Sequence, residues 1–176
     1  GTNLNVQAMD SAKNNYLMSV AYFEGKTGIS IADVTTGDYY LTETDDDRKL
    51  LDEINKYHPS EIICNDAFLV SGLDIQDLRN RLGITVYSLE PHFFDDDRCR
   101  KCLLKHFHVT TLQGMGIEDF PAGLIAAGAL MQYLYDNLKN EILENFNSLL
   151  ALKKQGINLF YADIDKIKEK ILDEIE

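Results

Sequence analysis

The chain has 176 residues, 45% of them hydrophobic, which suits one folded domain with or without an appendage and is too apolar for a disordered chain. Acids outnumber bases 29 to 17, a formal net charge of −12, and this argues against an independent nucleic-acid-binding domain, which needs clustered Lys and Arg to displace counterions from phosphates. No apolar run approaches the roughly 20 residues of a bilayer span. Gly1-Thr2-Asn3-Leu4-Asn5 lacks the basic and apolar regions of a signal peptide, and Cys64, Cys99 and Cys102 are too few and irregular for a disulfide framework, so a reducing, cytoplasmic setting is expected.

Tyr16 to Phe23 alternates loosely and is rich in strand formers. Glu24-Gly25-Lys26 reads as a turn, and Thr27 to Thr35 as a second strand with Ile29 and Ile31 on one face and Ala32 and Val34 on the other. Thr36-Gly37 is a turn signal before a third strand, Asp38 to Thr44. Turns this short make the three strands antiparallel neighbours, because parallel pairing needs a long crossover.

The period then changes. Leu50, Leu51, Ile54 and Tyr57 lie on one face of a helix, with Asp45-Asp46-Asp47 at its start, where the helix dipole favours negative charge, and Pro59 at its end. Glu61 to Cys64 is a short strand, Asp74 to Leu82 a short helix ended by Gly83, and Ile84 to Leu89 a fifth strand. A third helix is predicted over Asp95 to Phe107 and a longer fourth from Asp119 to about Asn140, capped by Asp119, with Pro121 in its first turn. The string βββαβαβα describes an α/β domain with a ribonuclease H-like mixed five-stranded sheet, flanking helices and further helix at the C-terminus. Residues 1–140 are read as the domain and 141–176 as a helical extension. In that extension Ile164, Ile167, Ile171, Leu172 and Ile175 form an apolar stripe at helical spacing, suited to docking on its own domain or to self-association.

A ribonuclease H-like order invites a search for a divalent-metal nuclease, which needs several carboxylates converging on two ions. The first strand carries no acid, and Asp33 is the one carboxylate within a strand core, so it is expected to serve the Thr36-Gly37 turn. The nuclease stands as the alternative function. Cys99, Cys102, His106 and His108 have zinc-ligand chemistry, but Cys99, Cys102 and His106 fall on the face of a helix that also carries Leu103, which is the pattern of a core face. Asp95-Asp96-Asp97 lacks the ligand alternation of a calcium loop and suits a helix start. Gly114-Met115-Gly116 lacks the rest of a nucleotide-binding loop. No catalytic, cofactor or metal residue is therefore assigned.

Several segments carry a family resemblance. Asn14-Asn15-Tyr16-Leu17, then Asp33-Val34-Thr35-Thr36-Gly37-Asp38-Tyr39, then Pro59-Ser60-Glu61-Ile62-Ile63, resemble successive parts of the connector domain (domain II) of the MutS family of DNA mismatch-repair proteins. So do Phe107 to Ile117 and the helix Ala126-Ala127-Gly128-Ala129-Leu130-Met131-Gln132-Tyr133-Leu134, and the match covers about residues 1–139. The resemblance implies a non-catalytic connector that transmits between the mismatch-recognition domain and the lever and ATPase domains. It implies as partners the other domains of the parent protein and the downstream protein MutL. A Walker A loop is absent from this sequence, so the ATPase chemistry of the family lies outside it.

Overall fold

The computed structural model describes residues 14–113 and 116–144. The first strands are β1 (Tyr16–Phe23), β2 (Lys26–Asp33) and β3 (Tyr39–Thr44). Helix α1 (Asp47–Tyr57) leads to β4 (Glu61–Cys64), the one-turn α2 (Asp66–Leu69), α3 (Ile75–Asn80) and β5 (Thr85–Ser88). A 3₁₀ turn (Pro91–Phe94), α4 (Asp96–Phe107) and the 24-residue α5 (Pro121–Glu144) complete the described chain. No helix among the described residues is long and apolar enough to cross a membrane.

The five strands form one sheet in the order β3-β2-β1-β4-β5. β1 pairs antiparallel with β2 and β2 with β3, whereas β4 runs parallel to both β1 and β5. This is the mixed sheet and ribonuclease H-like strand order expected from the short early turns and the later helical crossovers. Among the described residues, α2 and the 3₁₀ turn have no counterpart in the sequence pattern. Each spans four residues, too few for any period to show.

Alternation along the strands builds two cores. Met18, Val20, Ile29, Ile31, Ile62, Cys64 and Val86 face α1 and α3, meeting Leu50, Ile54, Ile75 and Leu78. The opposite face offers Leu17, Ala32 and Ile63 to α4 and α5, meeting Leu103, Leu124, Ala127, Leu130 and Leu134. The domain is thus three layers, helix-sheet-helix. Local capping sets the shorter helices. Asp46 accepts from the Arg48 amide at 2.8 Å, Asp74 from Asp77 at 2.9 Å and Asp95 from Arg98 at 3.0 Å, each satisfying an amide that the helix leaves open. The α1 and α4 ends are closed by His58 and His108 in the left-handed conformation.

The long helix departs from its sequence expectation. It begins at Pro121, and the first-turn amides of Ala122 and Gly123 go not to Asp119 but to Glu43, a residue of the edge strand β3.

Candidate functional site: the seat of the long helix

At 1.5 Å per residue, α5 is about 36 Å long. Its first four turns are buried almost all round, because the sheet lies on one side and α4 and the 3₁₀ turn on the other. Small residues make this double contact possible. Gly28 of β2 lies directly beneath the helix start, and a Cβ there would sit 1.8 Å from the Ala122 carbonyl oxygen. A Cβ on Gly123 would meet the Thr42 carbonyl oxygen at 2.8 Å, and one on Gly128 would meet Cys99 Cβ at 2.2 Å. Ala122, Ala126, Ala127 and Ala129 complete the close-approach surface, all buried. A glycine inside a strand marks close backbone approach, and Gly28 is the sequence signal that could have found this seat.

Polar links hold the helix from Ala122 to Tyr135. The Glu43 carboxylate accepts from Ala122 N at 2.8 Å and Gly123 N at 3.2 Å, and Lys26 Nζ lies 3.8 Å from its second oxygen. One turn on, the Tyr39 hydroxyl donates to the Ala127 carbonyl, and burial pushes that phenol well above its ordinary pKa. Gln132 Nε2 donates to Phe93 O at 3.0 Å and Gly128 O at 3.2 Å. The Tyr133 hydroxyl touches that of Tyr87 and donates to Glu61 at 3.3 Å. Burial raises the Glu61 pKa, and the hydrogen bond from Tyr133 partly offsets that rise. Further along, Tyr135 OH lies 3.1 Å from His106 Nδ1 on α4. Tertiary bonds at successive turns, rather than an amphipathic stripe alone, thus tie α5 to β3, the 3₁₀ turn, β4, β5 and α4.

The residues with chemical potential in the sequence are spent elsewhere. Asp33 is buried, and its carboxylate accepts from the Thr35 amide at 2.9 Å and the Thr36 amide at 3.4 Å, so it organises the turn into β3 as expected. The middle of β1 holds Ser19, which is fully buried on the face that α5 covers and has no hydrogen-bond partner among the described residues. Cys99 Sγ points into the α4–α5 contact, with Phe93 O at 3.2 Å and Ile125 O at 3.4 Å, and burial pushes its thiol up to about 12. Cys102 is half-buried, His106 is engaged with Tyr135, and His108 is exposed at the end of α4. Among the described residues, no group of three or more His, Cys, Asp and Glu is placed to hold a metal ion. Asp95 caps α4 while Asp96 and Asp97 pair with Arg100 and Lys101. Gly114-Met115 and the stripe from Ile164 to Ile175 lie outside the described residues.

Comparison with known proteins places the fold in a family. The model of MutS domain II matches residues 15–149. The DNA mismatch repair protein MutS of Lachnoclostridium phytofermentans is 49% identical over 142 residues, covering 81% of this chain and 15% of that protein. The MutS of Ruminiclostridium cellulolyticum is 35% identical over 153 residues, covering 84% of this chain and 17% of that protein. The MutS of Thermodesulfovibrio yellowstonii is 32% identical over 163 residues, covering 85% and 18%. The chain therefore spans under a fifth of the length of these relatives. Among solved structures, Thermus thermophilus RuvC in complex with a Holliday junction substrate aligns with 70% of this chain and 96% of its own, at 13% identity and a TM-score of 0.40.

Proposed function

This chain belongs to the MutS family of DNA mismatch-repair proteins as its domain II, and on that premise we propose that it is a non-catalytic connector carrying motion between the mismatch-recognition domain and the lever and ATPase domains of its parent. The observation that carries this reading is the seat of α5. A connector has to move as a rigid piece, and a helix about 36 Å long gives that only if it is fixed to the rest of the domain. Gly28, Gly123 and Gly128 remove the slack between backbones, and Glu43, Tyr39, Gln132 and Tyr133 bind the helix at successive turns. The family resemblance directs this helix toward the core of the parent protein, so the sheet and α5 would rotate together when either neighbour moves. Packed glycines and alanines are stiff because interiors pack like crystals rather than liquids.

The partners in this reading are the other domains of the parent and the downstream protein MutL, in the cytoplasm. The chain itself is expected to leave duplex DNA alone at physiological salt, since a net charge of −12 offers little counterion release. An anisotropy titration showing micromolar binding that weakens steeply with salt would contradict this. The connector role is tested in the parent protein by Gly28→Ala, which displaces the start of α5. Basal ATP turnover should persist, while its response to a mismatch should fall several-fold. A full mismatch response despite a displaced α5 would remove the transmission role. Sedimentation of the isolated chain with MutL, with no complex at tens of micromolar, would remove the docking role.

A further inference from the structure

We propose that Glu43 is a positioning residue that fixes the angle of α5 to the sheet, so that load on the helix moves the whole domain; the inference rests on the connector reading. A helix normally takes its cap from the residue just before it, which orders the helix alone. Here the cap comes from a strand 79 and 80 positions away, although the exposed Asp119 stands two residues before Pro121. The carboxylate therefore joins two elements that share no local chain.

Three further observations make the joint stiff. Glu43 sits directly opposite Gly28 in the β2–β3 register, so cap and close approach act at one point beneath the first turn. Its side chain is 9% exposed, which keeps water from replacing the protein amides and strengthens a charge at the positive end of the helix. Lys26, 47% exposed on β2, lies 3.8 Å away and restrains the second oxygen. The joint thus spans β2, β3 and α5. Without the carboxylate, the Ala122 and Gly123 amides lose their bonds to β3, while Tyr39 and Gln132 still hold the middle of the helix.

The test is residue-resolved amide hydrogen exchange on this chain and on Glu43→Gln, Glu43→Ala and Lys26→Ala. Loss of a cap should speed exchange at Ala122 and Gly123 by about five- to thirty-fold in Glu43→Ala. A smaller rise is expected in Glu43→Gln, which keeps an acceptor oxygen, and a smaller one again in Lys26→Ala. Exchange from Leu130 to Leu134 should stay within about twofold of the original chain. A uniform rise along α5, or no change at Ala122 and Gly123, would overturn the proposal. If the Glu43 variants do not fold, Lys26→Ala decides by the same two amides. The connector reading is judged separately, in the parent protein carrying Glu43→Gln. Opened first-turn amides together with an intact mismatch response would sink that reading and leave the Glu43 joint standing.

Discussion

Gly28→Ala is the sharpest perturbation of this architecture. The added methyl would sit 1.8 Å from the Ala122 carbonyl oxygen, 2.3 Å from its carbon and 2.8 Å from Gly123 N. All three are backbone atoms, so no side-chain rotation relieves the clash. The start of α5 has to lift by more than an ångström, and that movement also takes Ala122 N and Gly123 N, now 2.8 and 3.2 Å from Glu43, out of good hydrogen-bonding range. Overpacking costs about 1–3 kcal/mol and loss of a helix cap about 1 kcal/mol, so the substitution should cost about 2–4 kcal/mol. For a chain of this size each kcal/mol lowers Tm by roughly 2–4 °C, giving a drop of about 10 °C. Gly25→Ala is the control. Nothing lies within 4 Å of its added methyl, and its cost comes only from the left-handed backbone at φ +77°, about 1 kcal/mol. Thermal unfolding followed by circular dichroism measures both. If Gly28→Ala melts within about 2 °C of the original chain, or above Gly25→Ala, the described seat of α5 is wrong.

Two other substitutions test the buried polar groups. Burial raises the Glu61 pKa in the fold, so the stability this group contributes is present below its unfolded pKa and is lost as pH rises through the folded value. Glu61→Gln removes that titration, and its stability relative to the original chain should therefore improve between acidic and mildly alkaline pH; urea midpoints with a constant difference across that window would refute the assignment. Ser19→Ala removes a buried hydroxyl with no partner among the described residues, so it should be neutral or stabilising by up to about 1 kcal/mol. A loss of more than about 1 kcal/mol in denaturant unfolding would mean that the hydroxyl bonds in solution.

Much of the fold was legible because its determinants are local. Short turns force antiparallel neighbours, so the β1–β2–β3 part of the sheet follows from Glu24-Gly25 and Thr36-Gly37. Asp46, Asp74 and Asp95 cap helices that begin one residue later, within the span a sequence window sees. Asp33 organises the turn that follows it for the same reason. The family was legible too, because segments such as Asp33 to Tyr39 stand in order at plausible spacing. The seat of α5 was not. Asp119 looked like its cap, and only the folded sheet brings the Glu43 carboxylate to those amides. Gly28 could be read as a close approach, but not as one to Ala122, more than ninety positions away. The Tyr87–Tyr133–Glu61 contacts likewise join β5, α5 and β4. A helix amide accepts any well-placed oxygen, and a glycine admits any backbone; which one arrives is decided by how the layers pack, and the residues next to them in the chain carry no trace of it.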